Sequence, residues 1–93
     1  MGIEWPDWAL TALRDIEPYE VMRALQAERR WPRAMVGLGG LAVVAIWART
    51  QALRLLMVVL RPMGGLDWQI IGARDLRPGE LEEFEQWEAS GND

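Results

Sequence analysis

Leu41-Ala42-Val43-Val44-Ala45-Ile46-Trp47, followed beyond Arg49-Thr50 by Leu55-Leu56-Met57-Val58-Val59-Leu60, is the stretch on which the fold turns. Its β-branched and aromatic residues, bounded by Gly39-Gly40 on one side and Arg61-Pro62 on the other, predict two strands. The competing reading is one long helix over 41–60, and the paired valines oppose it. Gly64-Gly65 marks a further turn, after which Trp68-Gln69-Ile70-Ile71-Gly72-Ala73 reads as a third strand. A weaker strand over Ala34–Leu38 precedes the set. Short connections imply antiparallel pairing. Gly37-Leu38-Gly39-Gly40 reads as a turn and not as a dinucleotide loop, since no strong strand leads into it and no helix leaves it. The two central strands are apolar on both faces, whereas a half-solvated antiparallel sheet alternates apolar with polar. Either helices cover both faces or one face meets a partner, and a dimer or a partner-dependent chain is expected.

Three prolines open stretches of helical period: Pro6, Pro18 and Pro78. In the first, Trp5, Trp8, Ala9, Ala12, Leu13 and Ile16 share one face. In the second the stripe is Val21, Met22 and Leu25. In the third it is Leu81, Phe84 and Trp87, backed by Leu76. Glu80, Glu82 and Glu83 gain from the dipole at the start of that helix, while Glu85 and Glu88 do not. These acids read as a solvated helix face. The expected fold class is α+β: two N-terminal helices, a three- to four-stranded antiparallel sheet and a C-terminal helix. Residues 1–89 read as one domain and 90–93 as a frayed tail.

The 93 residues contain no Cys and no His, and all ten cations are Arg. Disulfides, most structural zinc sites, Ser-His and Cys-His catalysis, the P-loop lysine and Schiff-base chemistry are thereby excluded. No metal or cofactor motif occurs. The net charge of −4 is unevenly spread: −4 over residues 1–28, +6 over 29–66 and −6 over 67–93. A basic middle between acidic ends marks an anion-binding surface or a fold in which the ends neutralise the middle, and the overall acidity favours neutralisation. The start, Met1-Gly2-Ile3-Glu4-Trp5-Pro6-Asp7, lacks the basic region of a secretory signal. The uncharged run Ala34–Ala48 is too short to span a bilayer. A soluble cytoplasmic domain without membrane contact is the expectation.

Arginine and aromatics are the remaining chemical resource. Arg49 and Arg54 flank one turn, Arg61 closes the second strand and Arg74 closes the third. Arg binds phosphate with a planar fork and stays charged. Trp5, Trp31, Trp47 and Trp68 would stack on bases if exposed, although a small domain needs most of them in its core. RNA cleavage needs neither His nor Lys. The 2′-hydroxyl is an internal nucleophile, Arg stabilises the phosphorane, and Glu or Tyr moves protons.

Ile70-Ile71-Gly72-Ala73-Arg74, followed by Glu80 and Phe84-Glu85, resembles the C-terminal signature of the BrnT family, small ribonuclease toxins of bacterial type II toxin–antitoxin pairs with a RelE-like fold. Ile3-Glu4-Trp5 resembles the family's opening. Ile16-Glu17-Pro18-Tyr19-Glu20-Val21 resembles the start of its second helix, and Trp47-Ala48-Arg49 with Arg54-Leu55-Leu56-Met57-Val58-Val59 its central hairpin. The resemblance covers about four fifths of the chain. It departs at Arg14-Asp15, where the family carries Lys, at Gly72, where it carries Ser, and in the acidic rather than basic last helix. It implies a metal-independent endoribonuclease that needs no cofactor, acts on RNA, is neutralised by an antitoxin protein and forms a homodimer or hetero-oligomer. The candidate residues are Arg74, Arg49 and Glu80 for catalysis, and Arg54, Arg61, Trp68 and Tyr19 for RNA contact. The alternative is a non-enzymatic protein-interaction domain that keeps the fold without cleavage. Under it, Arg74 pairs with Asp75, Glu80 or another helix carboxylate and pins strand to helix.

Overall fold

The computed structural model describes residues 2–50 and 52–91. Among these residues the fold is α+β, with a five-stranded sheet and three helices. In chain order the elements are β1 (Ile3–Glu4), α1 (Asp7–Thr11), α2 (Pro18–Leu25), β2 (Arg30–Val36), β3 (Ala42–Arg49), β4 (Leu55–Gly64), β5 (Asp67–Asp75) and α3 (Pro78–Ala89), with a 3-10 turn at Leu38–Gly40 between β2 and β3. The sheet order is β1-β5-β4-β3-β2. Strands β2 to β5 are antiparallel as expected. The sheet is nevertheless mixed and one strand wider than expected, because β1 adds in parallel to β5 with Ile3 opposite Trp68. Two residues are too few to show a period of two, so nothing in the sequence marks them as a strand.

The central apolar runs are strands, and no helix among the described residues is long and apolar enough to cross a membrane. Gly39 and Gly40 both hold positive φ (70° and 77°) in the β2–β3 turn, a backbone region costly for residues bearing a Cβ. β2 begins at Arg30, earlier than its apolar residues announce. It is an edge strand, where charged side chains and Pro32 are tolerated.

Helices cover both sheet faces, which explains why the central strands carry apolar residues on each. On the α1/α2 face, Leu56, Val58, Leu60, Ala48 and Ile70 pack against Ile16, Val21 and Ala24. On the α3 face, Ala45, Trp47 and Met57 pack against Phe84, with Trp31, Trp87, Leu55, Val59 and Leu76 around them. Ile70 and Ala73 both belong to the first face although they are three residues apart. A regular strand forbids that. The register passes from Val59 opposite Gly72 to Leu60 opposite Ile70, so Ile71 is the extra residue of a bulge that resets the alternation.

The three prolines differ in position. Pro18 and Pro78 are the first residues of α2 and α3, whereas Pro6 stands just before α1. α1 ends at Thr11, whose hydroxyl bonds back to the Asp7 and Trp8 carbonyls. The apolar face expected to run on to Ile16 is therefore broken, leaving Trp8 57% exposed and Ala12 exposed. At the far end, the Ser90 N–H bonds the Gln86 and Trp87 carbonyls and closes α3. Of the expected tail, Asn92 and Asp93 lie outside the described residues.

Candidate functional site

Two helices are fastened to the sheet by the same device. In each, Pro is the first helical residue and a Glu two positions later turns back to accept the N–H of the residue before the helix. Glu20 Oε1 accepts from Glu17 N at 2.9 Å, and Glu80 Oε1 from Arg77 N at 2.8 Å. Each of these carboxylates also takes an arginine from the sheet side, Arg54 from just before β4 and Arg74 from β5. Arg54 Nη1 reaches both Glu20 oxygens (2.8 and 2.7 Å), and its other nitrogens bond Asp75 and the Asp15 carbonyl. Arg74 grips Glu80 with two bonds of 2.7 Å. The Arg74 fork, aided by the Arg77 N–H, holds Glu80 far below the usual carboxylate range, at about 2, while the Arg74 guanidinium is pushed up by the same pairing.

Two further pairs hold α3: Arg33 to Glu83 at 2.7 Å, and Arg49 to Glu88 through Nε–Oε2 (3.0 Å) and Nη2–Oε1 (2.8 Å). The register places Arg33, Arg49 and Arg74 on one sheet face. Trp47 is opposite both Trp31 and Met57, and Met57 is opposite Arg74. The acids of α3 are thus not simply a solvated face: Glu80, Glu83 and Glu88 neutralise strand arginines, while Glu82 and Glu85 stay exposed. Between the pairs runs an aromatic stack, Trp31 on Trp87 at 5.5 Å and 6°, with Arg33 over Trp31 at 4.4 Å.

These pairs set an acid limit on the fold. Glu80 has its carboxylate stabilised in the folded state, so its contribution is complete above its ordinary value of 4.5 and is lost as pH falls toward about 2. The carboxyls of Glu20, lowered first by the Glu17 N–H and then by Arg54, and of Glu88, lowered by Arg49, act in the same direction. Thermal midpoints measured from pH 7 downward are expected to hold to about pH 5 and fall steeply below pH 4. Glu80→Gln is expected to flatten that fall. A midpoint that stays level down to pH 2.5 would contradict the pairing.

The residues singled out from sequence do not form one site. Arg49 and Arg74 share a face but stand two strands and two residues apart, roughly 12 Å at the Cα atoms, and each ends on a different glutamate. Arg54 projects toward α2 on the opposite face. Arg61 and Trp68 lie at the other end of the sheet, Arg61 exposed and Trp68 half-buried against the core. Tyr19 is exposed at the start of α2, with Arg23 stacked 5.3 Å from its ring centre.

A groove instead gathers residues the sequence reading passed over. It has a volume of about 590 Å³ and lies between the end of α2, the α2–β2 connection and the end of β3. Arg23, Arg29 and Arg49 line it, together with Glu28, Gln26 and the buried Thr50. Arg23 and Arg29 make no ion pair among the described residues. The groove wall is pinned by the Arg49 N–H to the Arg29 carbonyl (3.3 Å) and by Arg30 Nη1 to the Leu25 carbonyl at the end of α2 (2.6 Å). The signal available in the sequence was Arg29-Arg30, the first residues of the basic middle. Compared with known proteins, the chain matches no family model and no curated protein sequence.

Proposed function

We propose that the protein is an RNA-acting toxin of the BrnT type, neutralised by a partner antitoxin, and that the RNA backbone lies in the arginine groove. The observation that carries this reading is the groove itself, lined by three guanidinium groups and one carboxylate, Glu28, with Glu88 held on Arg49 beside it. Arg forks match phosphate oxygens, and a net positive groove on an acidic protein concentrates anions where they are bound. The order of elements supports it: the segments that resemble the family fall on β1, α2, the β3–β4 hairpin and the β5–α3 corner.

Cleavage in this reading uses the RNA's own 2′-oxygen as nucleophile, the 5′-oxygen as leaving group, and a proton passed from one to the other. Arg49 and Arg29 stabilise the phosphorane. Glu80, with both oxygens on Arg74, is committed to holding α3, and the carboxylate on the groove wall is Glu28. Fluorescence anisotropy of a labelled single-stranded RNA is expected to report binding that weakens with salt. Arg29→Ala and Arg49→Ala are each expected to weaken it about tenfold and to reduce the salt slope by about one contact. Both are expected to relieve the growth arrest caused by expressing the chain in a bacterium. Flat titrations and no arrest would overturn the reading.

A second reading is favoured by one observation: Arg74, Arg49 and Glu80 are all engaged in ion pairs. It takes the protein as a non-enzymatic interaction domain. In both readings the surface left for a partner, or for a second copy, is the apolar corner where β2 ends and β3 begins, at the far end of the sheet. There Met35, Val36 and Leu41 are 44%, 74% and 38% exposed.

A further inference from the structure

We infer that Glu88 is a built-in stand-in for the RNA phosphate: Arg49 holds its carboxylate in the free protein and passes to a phosphate of the RNA when the groove is filled. This rests on the RNA reading of the groove and adds its regulation.

The contact has the form that a phosphate would take. Two guanidinium nitrogens of Arg49 donate to two separate oxygens of Glu88, and a fork of this kind serves carboxylate and phosphate alike. Of the three ion pairs that hold α3 to the sheet, the Arg49 pair is the one whose arginine lines the groove.

Glu88 also stands where a helix gives a carboxylate nothing. It is in the last turn of α3, the negative end of the helix dipole, and no basic residue of the helix accompanies it there. What holds it is Arg49, with the field of Arg29 adding to the effect. The pair is also open to exchange, since 27% of the Arg49 side chain and 16% of the Glu88 side chain reach solvent.

α3 does not depend on this contact to stay docked. Phe84 is fully buried, Trp87 stacks on Trp31, and Glu80 and Glu83 keep their own arginines. The last-turn carboxylate can therefore swing away while the helix remains in place. Its departure leaves Arg49 as a third arginine without an ion pair beside Arg23 and Arg29. The groove is thus partly neutralised when empty and most cationic at the moment a phosphate enters.

The test is a titration of a fluorescein-labelled, unstructured 12-nucleotide RNA with the full chain and with Glu88→Gln, and with Glu83→Gln as a control of equal charge change remote from the groove. Glu88→Gln is expected to bind about five- to tenfold tighter at low salt and with a steeper salt slope, while Glu83→Gln stays within about twofold of the parent. Equal tightening by both variants would reduce the effect to net charge and overturn the inference. Unchanged affinity of Glu88→Gln, in a protein whose binding Arg29→Ala weakens, would overturn it while leaving the RNA reading intact. Absence of binding by both the parent and Glu88→Gln would overturn the two together. Should Glu88→Gln fold poorly, the arginine Nε–Hε resonances of the parent decide. On adding the RNA, the Arg49 signal is expected to move and those of Arg33 and Arg74 to stay. A stationary Arg49 signal would refute the exchange.

Discussion

Phe84→Ala is expected to lower the stability of the fold by about 3–5 kcal/mol, the largest effect of any single truncation on α3. Phe84 is fully buried against Ala45, Trp47 and Met57, and it stacks on Trp87 at 5.4 Å. Its loss removes the transfer energy of an aromatic ring and leaves a cavity between helix and sheet that two large tryptophans cannot readily collapse to fill. For a domain of this length the thermal midpoint is expected to drop roughly 15–30 °C. Leu81→Ala on the same helix makes the comparison, because Leu81 is only half-buried and its truncation is expected to cost about 1 kcal/mol. Urea unfolding followed by circular dichroism measures both. A Phe84→Ala cost no greater than that of Leu81→Ala would mean that α3 rests on the sheet without being part of its core.

Phe84 was legible in the sequence because three apolar residues at a spacing of three make a stripe whatever they face. The strands β3, β4 and β5 were legible for the same kind of reason: long apolar runs between turn residues. What the sequence hid is the pairing of one element with another. β1 is a strand only because β5 offers it an edge, and Ile71 is a bulge only because β4 has one residue fewer at that point. The acids of α3 looked like a solvated face because helix periodicity says nothing about which distant arginines approach them. The Arg-lined groove was harder still. Arg23 lies on α2, Arg29 between α2 and β2, and Arg49 at the end of β3, so no local spacing relates them. The charge blocks did announce the principle of the fold. The basic middle forms three sheet strands whose arginines meet carboxylates of α3, as in Arg33 with Glu83 and Arg49 with Glu88, while Arg54, just before β4, meets Glu20 of α2.

Arg74 is the residue on which the reading from sequence and the geometry can be set against each other most directly. Arg74→Ala is expected to lower stability by roughly 1.5–3 kcal/mol, the range for a charged hydrogen-bonded partner, with the lower half favoured because 35% of its side chain meets solvent. Glu80→Gln alone is expected to cost less, since the amide oxygen can still accept from the Arg77 N–H. The double variant is expected to lose about as much as Arg74→Ala by itself, because once the fork is gone the second change removes little. That non-additivity is the signature of a pair acting as one, and a double-mutant cycle on thermal or urea unfolding measures it. Arg74→Lys separates charge from geometry. It keeps the cation but cannot offer two parallel donors, so it is expected to recover less than half of the loss. The opposite pattern belongs to catalysis. A chain in which Arg74→Ala leaves the melting curve unmoved yet ends RNA cleavage would place Arg74 at the reacting phosphate. The Glu80 clamp would then be a contact that opens before chemistry, and the α3 face, not the arginine groove, would be the place to look for bound RNA.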